Sequence, residues 1–373
     1  MLSQLNIRHL RNIDSISIQP AKRINCFIGG NGSGKTSVLE AVYLLALGRS
    51  FRTRVLKQVV QFEQAQLQVT AKTRNNTPVG IQFSHQSGVE IRFNNSPVKR
   101  LSELALQLPL QYIPANSHQF FEQGPKYRRQ LLDWGLFHVE PGFNYHWQAY
   151  KKALQQRNAG LKQHKQKSEI MLWDHHLIKH GEQITMLRQS YLEKLMKDVN
   201  EIFTDFCPEF NKNDLSLKYA NGWPKDQTLQ NTLNTTIHRD LQLGYTRAGT
   251  HAADWSFRID QHDAMAMLSR GQQKLFSIAL SIAQIRTSFT ERMKVSDNEC
   301  RGLLLIDDLN SEIDKQHFQR VLDYIVEIPV QIFMTSTDPD IADKIIQYDK
   351  NANVFHVEHG ALHTRLDADA ADM

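Results

Sequence analysis

The 373-residue sequence is poor in cysteine, and its three cysteines form no recognisable pattern. Cys26, Cys207 and Cys300 are far apart, are odd in number and show no zinc-type spacing with histidines. This scarcity excludes a disulfide-stapled secreted scaffold and favours a reducing compartment, so we expect a cytoplasmic location. Cys26 lies in the apolar run INCFIGG and is expected to be a buried strand residue.

Long apolar runs and sustained heptads are also absent. The longest apolar run, VLEAVYLLALG, contains Glu40 and is far shorter than the ~20 residues that a membrane span needs. The N-terminal stretch carries Arg8 and Arg11 and has no continuous apolar segment, so we expect no signal peptide. Residues 143–206 allow only two helices of about 45 Å, which disfavours a long coiled-coil arm.

What is present is the composition of a soluble globular protein with two or three domains. Apolar residues make up 41% of the chain and charged residues 22%, both ordinary values for such proteins. Basic residues outnumber acidic ones by 44 to 39, and this net charge of +5 permits nucleic-acid binding without requiring it.

The two ends of the chain have an α/β pattern, whereas the middle is helical. Residues 1–28 and 51–110 alternate like strands, and residues 143–206 predict two or three helices with junctions near Gly160 and Gly181. We therefore predict one α/β nucleotide-binding domain, with a P-loop and an N-terminal antiparallel β subdomain, split by a mainly helical insertion. The expected boundaries are 1–125 and 241–365 for the two parts of this domain, 126–240 for the insertion and 366–373 for a disordered tail.

Several element boundaries have local signals. The segment SGKTSVLEAVYLLAL predicts a helix that stops at Gly48, and Pro125 is well placed to start another helix. Later in the chain we expect helices over 272–288 and 314–326. Strands are expected over 302–307, in VQIFMTS and near NANVFHVEHG.

The segment GGNGSGKT at residues 29–36 follows an apolar strand and opens a helix, which is the context of a P-loop. Its glycines allow backbone N–H groups to surround phosphate oxygens, and the helix N-terminus favours anions. We expect Lys35 to reach the β- and γ-phosphates of ATP and the Thr36 hydroxyl to hold Mg²⁺. The predicted nucleotide-binding residues of this segment are Gly29, Gly30, Asn31, Gly32, Ser33, Gly34, Lys35 and Thr36.

The apolar strand LLLIDD delivers Asp307 and Asp308 at its carboxyl end, where such folds place an acid beside Mg²⁺. We predict that Asp307 holds the metal and that Asp308, together with Lys35, is catalytic by orienting or deprotonating the attacking water. Aspartate is one methylene shorter than glutamate, so we expect slow hydrolysis. Without the P-loop, the pair would suit two capping aspartates before a turn.

The segment MLSRGQQKLFS at residues 267–277 offers a second anion-binding device at a helix start. Ser269 supplies a hydroxyl, Gly271 a bare backbone N–H, and the following helix its N-terminal dipole. In isolation the segment is better explained as an ordinary serine N-cap.

Together these segments, followed by SEID at residues 311–314, resemble the ABC-type ATPase superfamily in kind and order. More specifically, LNIRHLRNIDSISI, GGNGSGKTSVLEAVYLLALGRSFRT, GPKYRRQLLDWGLFH, MLSRGQQKL and LIDDLNSEID resemble the RecF family of bacterial recombination mediators over nearly the whole chain. The resemblance implies that SEID is the D-loop. It also implies that Ser269, Gly271 and Gln272 bind the γ-phosphate held by the other protomer.

The same resemblance implies an ATP- and Mg²⁺-dependent homodimer that binds DNA at gaps or junctions and acts in replication, recombinational repair and the SOS response. It implies a weak DNA-stimulated ATPase that helps RecO and RecR to load recombinase. Two alternatives remain open, a transporter ATPase subunit and an SMC-like chromosome ATPase. The helical insertion and the strand-rich start disfavour the former, and the missing heptads disfavour the latter.

Three departures from the superfamily pattern leave roles open. Gln119 is the candidate for the Gln-loop residue within PANSHQFFEQGP. Transporter-type members carry a switch histidine where QIFMTSTDPD offers Thr335, Ser336 or Thr337. Arg270 replaces a glycine common in the signature segment.

Basic and histidine-rich segments have two interpretations each. The basic residues of 151–167 and of GRSFRTRVLK suit either DNA contacts or solvated surfaces, and Arg128 and Arg129 are similarly ambiguous. The spacing of His176 and His180 suits a metal pair without an obvious third ligand, or a polar helix face. Arg11 is expected by resemblance to touch nucleotide. The basic residues of 151–167 are Lys151, Lys152, Arg157, Lys162, Lys165 and Lys167. Those of GRSFRTRVLK, around Phe51, are Arg49, Arg52, Arg54 and Lys57. The histidine-rich segment also contains His175.

Overall fold

The computed structural model describes residues 1–116, 119–211, 214–290, 302–308 and 313–364, and the chain divides into two compact units. The first unit comprises Met1–Asn116 and Val295–Met373, and the second comprises Ser117–Lys294. The chain therefore leaves the first unit once and returns to it. No helix among the described residues combines the length and the apolar character needed to cross a membrane. The expected tail, 366–373, lies outside the described residues.

The described residues form fifteen strands and twelve α-helices. The strands are β1 (Leu2–Leu10), β2 (Ile13–Ile18), β3 (Ile24–Ile28), β4 (Gln66–Thr73), β5 (Pro78–Ser84), β6 (Gly88–Phe93), β7 (Ser96–Pro97), β8 (Leu110–Ile113), β9 (Leu215–Ala220), β10 (Asp254–Ile259), β11 (His262–Asp263), β12 (Leu303–Ile306), β13 (Gln331–Ser336), β14 (Asn353–Glu358) and β15 (Ala361–Thr364). The helices are α1 (Lys35–Leu47), α2 (Leu101–Gln107), α3 (Gln119–Glu122), α4 (Pro125–Val139), α5 (Phe143–Lys162), α6 (Lys167–Met171), α7 (Asp174–Phe206), α8 (Leu229–Leu243), α9 (Ala264–Met267), α10 (Arg270–Thr290), α11 (Lys315–Glu327) and α12 (Ile341–Tyr348).

The local boundary signals are confirmed where they were strongest. Helix α1 begins directly after Gly34 and ends at Gly48, whose φ of 65° gives the left-handed C-cap expected of glycine. Pro125 is the first residue of α4. The predicted late helices correspond to α10 and α11, whereas α2, α8, α12 and β9 were not anticipated.

In the first unit, the described strands form two sheets. One is antiparallel with the order β2-β1-β4-β5-β6-β7, and in the middle of β1 the buried Leu5 and Ile7 alternate with the more exposed Asn6 and Arg8. The other is mixed with the order β15-β14-β3-β13-β12-β8, in which all neighbours except β14 and β15 pair in parallel. Its inner strands β3, β12 and β13 are buried along their whole length, which explains why their sequences are mainly apolar, with LLLI in β12 entirely so.

One hydrophobic core joins both sheets of the first unit to α1. Leu39 and Val42 of α1 belong to the same buried cluster as Leu5 of β1, Phe27 of β3 and Leu305 of β12. The strand β13 lies between β3 and β12, so the carboxyl ends of these three strands meet at one edge. This edge is where a parallel α/β sheet places its functional groups.

The second unit is mainly helical, and its longest element is the 33-residue helix α7, about 50 Å in length. The junction predicted near Gly181 is wrong, because Gly181 lies inside α7. A Cβ atom at this position would lie 3.1 Å from Cε2 of Tyr150, so the missing side chain permits the α5 ring to approach closely. The chain instead bends between α5 and α7, around the short helix α6.

The expected boundary at residue 240 differs from the observed division, because the described residues 241–290 pack within the second unit. Strand β10 pairs with β9 along its whole length, from Asp254 opposite Ala220 to Ile259 opposite Leu215. Helix α10 packs beside α7, where the Phe276 ring meets the rings of Phe203 and Phe257 at centroid distances of 5.5 and 4.5 Å.

A buried ionic network holds α5 to its neighbours, and it removes Arg157 from the expected basic face. The fully buried Arg157 guanidinium donates to Asp174 and Asp240, each at 2.7 Å, and to the Thr246 hydroxyl at 2.8 Å. Helical spacing explains the correction, since Tyr150, Ala153, Arg157 and Leu161 share the inner face of α5. The five lysines of this segment are exposed.

Replacing Arg157 with methionine is expected to destabilise the second unit by about 3–5 kcal/mol, because two buried carboxylates lose their cation. Urea unfolding followed by circular dichroism measures the loss. Lys152→Met on the exposed side of the same helix is the matched control, and it should change the free energy of unfolding by less than about 0.5 kcal/mol. Equal unfolding midpoints for the two variants would contradict the network's role.

Candidate functional site

The connection between β3 and α1 has the backbone conformation that a phosphate-binding loop requires. Gly34, the residue before α1, has a φ of 119°, which side chains other than glycine's rarely tolerate. A Cβ atom there would also approach Nδ2 of Asn12 to 3.1 Å. Gly30, Asn31 and Gly32 are exposed residues of the loop.

The Lys35 side chain folds back over this loop. Its Nζ donates hydrogen bonds to the carbonyl oxygens of Gly29 at 2.6 Å and Gly30 at 2.8 Å, and the residue is only 7% exposed. Burial lowers the pKa of Lys35, and the negative charges of Asp308 and Asp307 oppose this shift. The ammonium group is thus a poorly solvated cation that a bound anion would stabilise.

Three elements converge on one carboxylate oxygen at the edge of the mixed sheet. Oδ1 of Asp307 accepts hydrogen bonds from the hydroxyls of Thr36 at 3.0 Å and Thr335 at 2.8 Å. The backbone N–H of Asp308 in turn donates to Oγ1 of Thr335 at 2.9 Å. The parallel register explains this meeting, since Thr36 follows β3, the aspartates follow β12, and Thr335 lies near the end of β13.

Of the three switch candidates, Thr335 forms hydrogen bonds with both aspartates. The Ser336 hydroxyl accepts from the N–H of Asp338 at 3.0 Å, and Thr337 is exposed. Asp308 has a φ of 44°, a left-handed conformation that is costly for a residue with a side chain and that clusters at functional sites.

Two hairpin turns brace the P-loop from outside, and the sequence reasoning missed both. Asn12, in the β1–β2 turn, donates to the carbonyl of Gly32 at 3.2 Å and accepts from the Ser37 hydroxyl at 3.1 Å. Gly360, in the β14–β15 turn, donates its N–H to the carbonyl of Ser33 at 2.8 Å. The glycine in VEHGAL indicates a turn, but no local signal connects that turn to a loop more than 300 residues earlier.

A buried ion pair lies one helical turn beyond Thr36. Glu40 is fully buried and accepts two hydrogen bonds from Arg11, at 2.9 and 2.8 Å, as well as one from the Ser50 hydroxyl at 2.5 Å. The third guanidinium nitrogen of Arg11 donates to the carbonyl of Gln58 at 2.7 Å. The resemblance led us to expect that Arg11 touches nucleotide. In the structure, its guanidinium instead forms hydrogen bonds with α1 and with the segment that follows α1.

The basic segment GRSFRTRVLK is anchored to the same helix. Arg52 lies 3.7 Å from the Glu40 carboxylate, and the Phe51 ring stacks on Tyr112 of β8 with a centroid distance of 4.2 Å. Arg54 and Lys57 are exposed. The segment is thus held against the P-loop helix while presenting part of its charge to solvent.

In the second unit, the signature segment forms a reciprocal cap on α10. Oγ of Ser269 accepts from the N–H of Gln272 at 3.3 Å, and Oε1 of Gln272 accepts from the N–H of Ser269 at 2.9 Å. The Gln272 amide also donates to Glu209 at 2.9 Å. Ser269 and Arg270 are exposed, and the first N–H groups of α10, including that of Gly271, have no acceptor within the helix.

The remaining candidates take different places. Arg128 pairs with Asp254 at 2.8 Å and Arg129 donates to the carbonyl of Ala253, so both attach α4 to β10. The D-loop residues Ser311 and Glu312 and the side chain of Gln119 lie outside the described part of the chain. Asp314, also expected in the D-loop, caps α11 by accepting from the N–H groups of Gln316 and His317.

The donor set of the P-loop edge fits a magnesium-bound polyphosphate. The Thr36 hydroxyl and the Asp307 carboxylate, 3.0 Å apart, are the hard oxygen ligands that Mg²⁺ prefers. The Ser33 hydroxyl is buried and has no hydrogen-bond partner among the described residues, which leaves it available to a ligand in the loop. Backbone N–H groups, the start of α1 and Lys35 supply the positive field for the phosphates.

Comparisons with known proteins agree with these motifs. Residues 1–363 match the family model described as RecF/RecN/SMC N terminal domain. The DNA replication and repair protein RecF of Nitrosococcus oceani is 38% identical over 366 residues, covering 97% of this chain and 98% of that protein. RecF of Pseudomonas paraeruginosa is 39% identical, with 97% of each chain covered. A solved structure of the recombination mediator protein RecF with ATP, from the RecFOR pathway, has the same fold, with a TM-score of 0.82, 22% identity and 97% coverage of each chain.

Replacing Arg11 with methionine is expected to destabilise the first unit by about 3 kcal/mol near pH 7, because Glu40 is left buried without its main cation. Urea unfolding near pH 7 measures the loss.

Arg8→Met is the matched control, since Arg8 is an exposed arginine on β1, the strand that leads into the turn of Arg11. It should leave the free energy of unfolding nearly unchanged. Equal free energies of unfolding for Arg11→Met and Arg8→Met would argue against a stabilising ion pair between Arg11 and Glu40.

Proposed function

Because the chain belongs to the RecF family, we propose that it is an ATP-gated DNA-binding protein of DNA replication and recombinational repair. One observation carries the nucleotide part of this proposal: Lys35, Thr36, Asp307 and Thr335 converge at the carboxyl edge of the mixed sheet. The family relationship carries the DNA part, since the curated relatives are named for DNA replication and repair.

In the proposed complex, the P-loop residues 29–36 hold the phosphates of ATP. Lys35 exchanges its two carbonyl acceptors for phosphate oxygens, which relieves the poor solvation of its ammonium group. Thr36 and Asp307 hold Mg²⁺, which neutralises phosphate charge when it is bound. Thr335 keeps the Asp307 carboxylate oriented by donating to it, and it fixes the backbone of Asp308 by accepting from it.

The second half of the nucleotide site is proposed to come from another copy of the chain. The exposed start of α10, with Ser269 and the N–H of Gly271, offers an anion site in a unit different from that of the P-loop. In the proposed homodimer, this segment binds the γ-phosphate held by the partner's P-loop. Gln272 supports it by keeping Ser269 in the reciprocal cap. ATP then closes the dimer because it binds the closed state, in which both copies touch it, more tightly than the open one.

Hydrolysis is proposed to open the dimer. Asp308 is placed by the strained backbone after β12, beside Lys35, and would orient or deprotonate the attacking water. A short aspartate side chain reaches the water less directly than a glutamate would, so we expect hydrolysis to be slow and the protein to work mainly as a switch.

ATP is expected to shift the wild type from monomer to dimer in analytical ultracentrifugation, whereas Ser269→Arg should remain monomeric. The added arginine places bulk at the helix start that the partner's γ-phosphate would approach. Ser190→Arg is the matched control, because Ser190 is an exposed residue within α7. It should dimerise like the wild type.

Lys35→Met separates binding from assembly in this experiment, since it should abolish both ATP binding and dimerisation. Ser269→Arg should retain ATP binding to the single chain and lose only the dimer. A dimer that forms without ATP, or that survives Ser269→Arg, would refute the two-copy site.

DNA is proposed to lie along the exposed lysines of α5 and of the segment that follows it. Lys151, Lys152, Lys162, Lys165 and Lys167 remain exposed once Arg157 is assigned to the buried network. Lysines arranged in this way bind phosphates without reading sequence. We propose that the ATP-bound dimer holds gapped or junction DNA there and helps to load recombinase together with RecO and RecR, in keeping with the RecFOR pathway of the structural relative.

Replacing Lys152, Lys162 and Lys165 with glutamine is expected to weaken ATP-dependent binding to gapped DNA. The slope of log K against log salt should fall by about 0.9 for each DNA phosphate that a lysine no longer neutralises. Fluorescence anisotropy measures the affinity and its salt dependence. The salt series is repeated with ATP, with ADP and without nucleotide. Lys197→Gln with Lys225→Gln neutralises exposed lysines elsewhere in the unit and serves as the control. An unchanged slope in the triple variant would exclude this face.

A further inference from the structure

A cluster of histidines joins α5 to α7 inside the second unit, and none of its members is assigned to nucleotide or DNA. The sequence pattern singled out His175, His176 and His180 on α7. The structure adds His146 of α5, whose Nδ1 lies 3.0 Å from Nδ1 of His180. The two ring centroids are 5.2 Å apart, so the rings meet through their nitrogens rather than by stacking.

The distance between these two nitrogens is that of two ligands on one metal ion. With Zn–N bonds of about 2.0–2.1 Å, two nitrogens lie about 3.3 Å apart at a tetrahedral angle and about 2.9 Å apart at a right angle. The observed 3.0 Å falls between these values. Without a metal, the same contact requires one Nδ1 to carry a proton and the other to be bare.

A third imidazole stands one helical turn before His180. The rings of His176 and His180 are almost parallel, with centroids 6.3 Å apart and planes 6° apart. Two histidines at i and i+4 on one helix face form a recurrent zinc-binding pair. His176 is exposed, and a rotation of its side chain would bring it towards an ion held by the other two.

The pair lies in a poorly solvated place. His180 is only 4% exposed. The ring of Tyr145 also packs against the pair, and its centroid lies 5.6 Å from that of His180. Two Nδ1–H groups cannot face each other at 3.0 Å, so at least one Nδ1 of the pair carries a lone pair that can bind a metal ion.

We propose that His146 and His180, completed by His176, bind a divalent transition-metal ion such as Zn²⁺. Imidazole nitrogen is a preferred ligand of Zn²⁺, and water would supply the remaining position. The ion would tie the N-terminal half of α5 to the N-terminal half of α7, the two helices whose buried faces organise the second unit. This site is independent of the proposed nucleotide and DNA functions, and neither ATP nor DNA is needed to test it.

The test is a metal titration of the full-length chain without an affinity tag. Co²⁺ is titrated first, because its visible absorption reports nitrogen ligands and geometry, and Zn²⁺ is then added in competition. We expect one Co²⁺ per chain, displaced by Zn²⁺. His146→Gln and His180→Gln should each weaken binding by more than about 100-fold, beyond the loss typical of an outer-shell partner. His238→Gln, an exposed helical histidine of the same unit, is the matched control and should bind like the wild type.

Two further measurements keep the proposal decisive if a core variant folds poorly. His176→Gln alters an exposed side chain and should weaken binding by about tenfold or more without changing the metal-free melting temperature. Zn²⁺ should raise the melting temperature of the wild type but not that of His146→Gln. Equal metal affinity in the wild type and in all histidine variants would overturn the site. A second outcome would also overturn the site. If the chain binds no metal and loses stability in acid, and if His146→Gln removes this loss, then the two histidines share a proton instead of a metal ion.

Discussion

The candidate nucleotide site depends on the parallel pairing of β13 with both β3 and β12. This pairing fixes the register of three strands, with Met334 opposite Cys26 on one side and Ile306 on the other. A shift of the β13 register by one residue would turn Thr335 to the opposite face of the sheet. Both hydrogen bonds of its hydroxyl would then be broken. The hydrophobic core is thus what determines the position of a single hydroxyl group between Asp307 and Asp308.

A second constraint acts on the P-loop helix itself. A carboxylate buried as completely as that of Glu40 is tolerated only where cations and hydroxyls compensate it. Those partners come from the β1–β2 turn and from the basic segment after α1, so the helix that carries Lys35 and Thr36 cannot shift without disturbing both. The same turn carries Asn12, which braces the P-loop directly. The loop is therefore held by its neighbours before any ligand arrives.

Features encoded by adjacent residues were predictable from the sequence. The glycine and lysine spacing of the P-loop, the helix stop at Gly48, the start at Pro125 and the strand-borne aspartates all have local physical causes. Features that depend on the packing of distant residues were not. Asn12 and Gly360 flank the P-loop only because two hairpins fold against it, and His146 meets His180 only because α5 packs on α7. Arg157 and Gly181 were misjudged for the same reason, since local patterns report neither which helix face is inward nor where a bulky ring needs space.

The discontinuous first unit has a consequence for the order of folding. β3 ends at Ile28 and its central partner β13 starts at Gln331, so about 300 residues separate two strands that must pair. At 5–20 residues per second, a ribosome needs about 15–60 s to cover that distance. During this time the antiparallel strands β1, β2 and β4–β7 and the whole second unit are already available to fold, whereas the β3 edge waits unpaired. A nascent chain can therefore fold its second unit long before its nucleotide site can form. Truncation anywhere before β13 leaves the P-loop without the sheet that supports it.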